Sequence, residues 1–165
     1  VEGKHNWVII CWELRMASSP EELVLREMRK VYNETVVSHA LRPRNLGEMK
    51  NAGGFGEITG SCGDTMTIWL RVEANTVVAA TFTTDGCGAT LACGSMLTEI
   101  VKGKSIPQAL GISQQDVLGA LGGLPEGNKH CALLAVSTLG AAIKDYLTFK
   151  KEPWKRAYRT YPGGG

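Results

Sequence analysis

No apolar run near the start of this 165-residue sequence exceeds six residues, at positions 7–12. A bilayer span needs about 20, and a secretory leader needs a longer apolar core. No membrane partner is expected, and the cytoplasm is the default compartment. No two cysteines are spaced C-x-x-C, and their number is odd: Cys11, Cys62, Cys87, Cys93 and Cys131. Neither a paired zinc ribbon nor a closed disulfide framework is indicated. An excess of one charge is missing too, because 18 Lys and Arg stand against 16 Asp and Glu. The balance by itself excludes neither nucleic acid nor acidic partners. There is no internal repeat.

What is present suffices for one folded domain. A chain of this length buries roughly 70% of its unfolded surface, and 44% of its residues are apolar, so a core needs no covalent staples. The charge is uneven. Residues 150–165 carry five cations and one anion, which leaves residues 1–149 with thirteen against fifteen, a formal −2. The basic end interleaves Trp154, Tyr158 and Tyr161 with Lys and Arg. Without a basic folded face it reads as a solvated, flexible tail or a protein-docking arm, and a nucleic-acid partner is not expected.

Three segments are expected: an N-terminal extension over 1–18, a domain over 19–150 and the basic tail over 151–165. Met16 could be a native start, and no function is assigned to what precedes it. Ser19-Pro20-Glu21-Glu22 is a helix start, with Ser19 as cap, Pro20 in the first turn and Glu22 closing a capping box. The apolar stripe Leu25, Met28, Tyr32, Val36 predicts one helix to about residue 38. Strands follow at 55–60, 64–73 and 77–84. The second alternates Met66, Ile68, Leu70 and Val72 against Thr65, Thr67, Trp69 and Arg71, and Ala74-Asn75 makes a tight turn to the third. Helices are then expected at 88–102, after Ser113 with Asp116 at its box position, and at about 129–150. Strands first and helices afterwards give an α+β fold: a three-stranded antiparallel sheet, helices packed on one face, and a long C-terminal helix.

The cysteines fall at the ends of these elements. Cys62 lies in Gly60-Ser61-Cys62-Gly63-Asp64, Cys87 in Asp85-Gly86-Cys87-Gly88, and Cys131 follows His130 at a helix start. Free cysteine is commonly just a small buried residue, and Cys93, inside a helix beside Ala92 and Met96, is read so. Three in Gly-rich turns, two of them beside ionisable residues, point instead to a metal or cluster site. Helix N-termini favour negative sulfur at Cys87 and Cys131. Three soft sulfurs with one harder ligand from Asp64 or His130 suit tetrahedral zinc or an iron–sulfur cluster. Asp85 reads as a modulator of Cys87 or as turn chemistry, and Lys129 as a counter-charge or an ordinary first-turn lysine. His39 reads as a helix-end or surface-contact residue, His5 as solvated, and Cys11 has no assigned role.

The sequence resembles the IscU/NifU-type iron–sulfur cluster assembly scaffolds. Four motifs carry the resemblance in order: His39-Ala40-Leu41-Arg42-Pro43-Arg44-Asn45-Leu46-Gly47, Gly60-Ser61-Cys62-Gly63-Asp64, Gly86-Cys87-Gly88-Ala89 and Lys129-His130-Cys131. It covers about residues 21–149. It implies a scaffold and carrier, not a turnover enzyme, that assembles a nascent [2Fe–2S] cluster and passes it to recipient apo-proteins. Iron comes from a donor and sulfur as persulfide from a cysteine desulfurase of the IscS/NifS type. By motif position Cys62, Cys87 and Cys131 are thiolate ligands, Asp64 and His130 are exchangeable fourth ligands, and Cys131 is the persulfide acceptor. Zinc is the metal of the cluster-free form, and a homodimer sharing one cluster is a further implied state.

Departures from the family pattern shape the alternatives. The segment recognised by the specialised Hsp70-type chaperone, Leu-Pro-Pro-x-Lys, falls on Leu124-Pro125-Glu126-Gly127-Asn128, so that partner is not expected. The related SufU proteins are zinc-bound persulfide acceptors with an insertion before the third cysteine and a basic residue in place of the histidine. This sequence keeps His130 and has no obvious insertion, which favours the scaffold over the sulfur relay. A cysteine hydrolase built on Cys131 and His130 is disfavoured, because neighbours at a helix start point about 100° apart. A purely structural zinc module is disfavoured by the size of the core.

Overall fold

The computed structural model describes residues 19–158. The chain divides between Tyr32 and Asn33 into two compact units. In the first, α1 (Pro20–Val31) begins at Ser19, whose hydroxyl accepts the Glu22 N–H. Glu21 and Glu22 lie in its first turn and Arg29 and Lys30 in its last, both favourable to the helix dipole, and none of its residues is buried. The continuous helix expected to residue 38 is therefore interrupted. Tyr32 is extended, and Asn33 starts a new helix, α2 (Glu34–Leu41), by accepting the Val36 N–H on its side chain at 3.0 Å. Asparagine is a poor interior residue and a good cap. The amide of Asn33 also donates to the Leu121 carbonyl at 2.9 Å, which holds the start of α2 within the second unit.

In the second unit, β1 (Gly54–Thr59), β2 (Thr65–Glu73) and β3 (Thr76–Thr84) form an antiparallel sheet in the order β1-β2-β3. The turn between β2 and β3 is the expected two-residue one, with φ 46° at Ala74 and 64° at Asn75. Such paired positive values match the twist of the flanking strands. Helices α3 (Gly88–Val101), α4 (Ile106–Leu110), α5 (Gln114–Ala120) and α6 (Lys129–Lys151) follow, with 3-10 turns at Glu126–Asn128 and Pro153–Tyr158. The sequence reading did not include α4, although Ser105 and Gln108 form a complete capping box around Pro107. The segment 1–18 with His5 and Cys11, and the last residues of the basic tail, lie outside the described residues.

Register explains where the helices sit. Gly54, Gly56 and Ile58 pair with Leu70, Ile68 and Met66, which pair in turn with Ala80, Phe82 and Thr84. These nine residues share one face. Gly56 has no side chain because α6 lies directly on it: a Cβ there would come 2.5 Å from the Ala142 nitrogen and 2.6 Å from the Thr138 oxygen. At the other edge α3 sits on Phe82, whose ring would be 2.4 Å from a Cβ on Gly94. Asp145 of α6 accepts the Phe55 N–H at 2.7 Å and ties the helix to β1. Met66, Ile68, Leu70, Phe82, Leu97, Leu139 and Ile143 are all fully buried between the layers, each worth about 1.5–3 kcal/mol. By length and composition alone α6 could cross a bilayer, but nine of its residues are buried in this core.

The opposite sheet face differs from a simple polar surface. Trp69 and Thr67 are buried there too. Phe55 meets Trp69 edge-on with ring centroids 5.8 Å apart, and the Thr67 hydroxyl donates to Glu57.

His39 lies in the last turn of α2, as the helix-end reading expects, but it is a core residue, 3% exposed, and not a surface contact. Arginine can only donate, so Nε2 of His39 accepts from Arg44 and Nδ1 donates to the Ser95 hydroxyl at 2.7 Å. Ser95 also accepts the Arg44 N–H. Burial first and the Arg44 charge second hold His39 below its ordinary pKa, against a smaller opposing effect of Glu99. The loop beyond is strapped to β3 by hydrogen bonds from Gly47 to the Phe82 carbonyl and from Phe82 to the Asn45 carbonyl.

Candidate metal centre

Three chain segments meet at one end of the sheet. The first is the turn over 60–64, closed by the Gly60 N–H on the Asp64 carbonyl at 2.8 Å, with Gly63 at φ 88°. The second is the turn over 85–87. Asp85 accepts the Thr65 N–H at 2.7 Å, so its carboxylate pins the turn. Cys87 then stands at the cap position of α3. The third is the first turn of α6 with His130 and Cys131, where Gln114 donates to the Lys129 carbonyl. Lys129 itself pairs with Glu126, which favours the reading as an ordinary first-turn lysine.

At the centre is a residue that the sequence reading did not single out. Thr90, wholly buried on the first turn of α3, places its hydroxyl oxygen 2.8 Å from Asp64 Oδ2, 3.4 Å from Cys131 Sγ and 3.7 Å from Cys87 Sγ. Gly86 makes room for this arrangement. A Cβ there would lie 2.6 Å from Asp64 Oδ2 and 2.7 Å from Thr90 Cβ. One signal was available: a threonine three residues after Cys87 lies on the same helix face, one turn on.

Of the predicted residues, Asp64, Cys87 and Cys131 are thus gathered about one hydroxyl. His130 joins them, its Nε2 3.6 Å from Cys131 Sγ. This corrects the expectation that the two neighbours point apart, since the imidazole is long enough to fold back along the helix. Cys62 is at the exposed tip of its turn and is felt by Cys131 through charge. Among the described residues no three His, Cys, Asp or Glu side chains are drawn tightly enough together to hold a metal ion. Asp64, Cys87 and Cys131 surround the Thr90 hydroxyl, with His130 beside Cys131 and Cys62 at the exposed tip of its turn.

The thiols are not equivalent. Burial raises Cys87, but the N–H and hydroxyl of Thr90 and the N–H of Ala89 outweigh it, so this exposed thiol titrates below its ordinary value despite Asp64 nearby. Cys131, only 1% exposed, is pushed up by burial. The Thr90 hydroxyl works against that rise, and the charges of Cys87, Cys62 and Asp64 add to it. The expectation that a helix N-terminus keeps Cys131 ionised is therefore reversed. A raised thiol is also the opposite of an activated hydrolase nucleophile. Cys93 is completely buried and pushed far up by burial, as expected of a core thiol.

Three thiols, a carboxylate and an imidazole thus lie near one another at the ends of a sheet and two helices in a small α+β domain. The chain belongs to the family described as the NifU-like N terminal domain, which matches residues 31–153. It is 45% identical over 119 residues to the iron-sulfur cluster assembly scaffold protein IscU of Aquifex aeolicus, covering 70% of this chain and 76% of that one. It is 44% identical over 117 residues to the iron-sulfur cluster assembly scaffold protein IscU 1 of Archaeoglobus fulgidus, with the same coverage. The N-terminal part of a nitrogen-fixing NifU-like protein from Brucella abortus has the same fold. Its crystal structure superposes with a TM-score of 0.58 at 18% identity, over 72% of this chain and 95% of the other.

Proposed function

We propose that this chain is a scaffold on which iron and sulfur are assembled into a [2Fe–2S] cluster that is then handed to apo-proteins. The observation that carries the reading is the meeting of Asp64, Cys87 and Cys131 around Thr90, with Cys62 on the same turn as Asp64. Thiolates hold iron firmly, and a carboxylate or imidazole as fourth ligand lets the cargo go. The similarity to proteins named as assembly scaffolds supports the same reading and supports a carrier, not a turnover enzyme.

Sulfur is received as persulfide from a pyridoxal-phosphate cysteine desulfurase, in a reducing compartment such as the cytoplasm. The Cys131 thiol, buried and raised in pKa in the metal-free protein, gives up its proton as it attacks the outer sulfur of the donor persulfide. An S–S bond forms on Cys131, and the donor cysteine leaves as the thiol that takes up that proton. Two electrons from an external reductant bring each such sulfur to sulfide. Zinc, held by the same thiols, occupies the protein when iron is absent. Recognition by the chaperone that reads Leu-Pro-Pro-x-Lys is not expected, since Leu124 and Pro125 are kept but Glu-Gly-Asn stands at 126–128.

Anaerobic reconstitution with ferrous iron, cysteine and a desulfurase tests the proposal. Brown protein with equal iron and acid-labile sulfide supports it. Colourless protein that keeps one tight zinc and forms no cluster overturns it in favour of a sulfur relay.

A further inference from the structure

Thr90 has one hydroxyl proton and three candidate partners within reach. Its Oγ1 lies 2.8 Å from Asp64 Oδ2, 3.4 Å from Cys131 Sγ and 3.7 Å from Cys87 Sγ, so at any instant it donates to one of them only. The shortest contact is the best hydrogen bond, and it ends on a carboxylate, the strongest acceptor. Asp64 itself is only half-buried, on a turn whose Ser61, Cys62 and Gly63 are all exposed. A carboxylate in that position is drawn outward by hydration unless something holds it. The cradle is built for the held position, since Gly86 leaves free the space that Oδ2 and the Thr90 side chain occupy. The buried end of the tether is on the first turn of α3, which rests on the sheet through Gly94 and Phe82.

We infer that Thr90 is a positioning residue for cargo release: its hydroxyl holds the Asp64 carboxylate beside Cys87 and Cys131, where that carboxylate acts as the exchangeable contact. The inference deepens the scaffold reading and rests on it. Without the hydroxyl, Asp64 swings toward solvent and meets the cluster in only a fraction of molecules, so loss of Thr90 resembles loss of Asp64. Because the hydroxyl also reaches Cys131, freeing Asp64 for iron lets the same proton turn to the sulfur, and the tether does not leave a buried donor unpaired.

The test compares wild type, Thr90→Val, Thr90→Ser, Asp64→Ala and the double variant Thr90→Val/Asp64→Ala, loaded with equal amounts of cluster. Transfer to an apo-ferredoxin is followed by visible circular dichroism. Thr90→Val should transfer about fivefold more slowly, the size of one side-chain hydrogen bond. Thr90→Ser should restore the rate, and the double variant should be no slower than Asp64→Ala alone. A wild-type rate in Thr90→Val, failure of serine to rescue, or a further slowing in the double variant overturns the inference. Should valine not fold, Thr90→Ala gives the same comparison.

A metal-free arm separates this inference from the scaffold reading. Crystals of metal-free Thr90→Val should show the Asp64 carboxylate displaced from its place against Gly86. An unmoved carboxylate overturns the tether whether or not cluster loads. A displaced carboxylate in a protein whose wild type never takes up cluster supports the tether and overturns the function.

Discussion

Cys87 and Cys131 share a neighbour in the Thr90 hydroxyl and titrate in opposite directions. Cys87 stands at the cap of α3 with backbone donors aimed at it, and Cys131 is sealed behind it. The outer thiol is the more acidic and the inner one the less. Iron or a sulfur donor arriving from solvent therefore meets the more acidic sulfur first.

Alkylation of the metal-free protein should follow that order. Thiolate is the reacting form, so the Cys87 rate should rise and level off at lower pH than for a free thiol, and the Cys131 rate only at higher pH. Peptide mass spectrometry after short iodoacetamide pulses from pH 6 to 10 measures both. Faster labelling of Cys131 at neutral pH would contradict the burial argument.

Cluster binding should need three of the four described cysteines. Alanine at Cys62, Cys87 or Cys131 should abolish a stable cluster on reconstitution. Cys93→Ala should load normally and lose about 1 kcal/mol of stability from the small cavity it leaves. Full loading of Cys87→Ala would remove that residue from the ligand set. After incubation with a desulfurase and cysteine, persulfide should appear on Cys131, and persulfide confined to Cys62 or Cys87 would move the acceptor role there.

Asp64→Ala should still assemble a cluster, hold it longer in air or chelator and pass it on more slowly. A hard carboxylate exchanges more readily than a fourth thiolate, and a charged group beside the site admits solvent. Paired decay and transfer time courses at equal loading decide. Faster loss with unchanged transfer would make Asp64 a stabilising ligand.

His39 should produce an acid-sensitive step in folding stability. Its folded pKa lies below the ordinary 6.5, so as pH falls the unfolded chain takes up the proton first. The stability it contributes is complete above about pH 6.5 and is lost as pH drops through the folded value, at most about 1.4 kcal/mol per pH unit. The charged groups that bear on it are Arg44 and Glu99. Denaturant midpoints between pH 5 and 7.5 should fall in the wild type and fall less in His39→Gln.

Much of the fold was legible because local rules and tertiary packing agreed. The alternation through β2, the Ala74-Asn75 turn and the Ser113–Asp116 capping box are each set by neighbours in sequence, and each is found in the structure. The break at Asn33 was hidden by an apolar period that runs through it, and what holds the new helix there is Leu121, far away in the chain. The same holds at the site. Glycine-flanked cysteines announce themselves, but Thr90 acquires its place only when β1, β3, α3 and α6 are brought together. The burial of His39 depends on Ser95, 56 residues on, for the same reason.

The absence of a side chain at Gly56, where β1 faces α6, has a mechanical consequence. At Gly56 the helix backbone touches the strand backbone, so the two cannot slide or tilt independently without collision. His130 and Cys131 ride on that helix, whereas Cys62 and Asp64 sit on the facing turn over 60–64, with Gly63 in a left-handed conformation at its bend. On the scaffold reading, the expected movement on loading is therefore in that turn, and the helix serves as the fixed side.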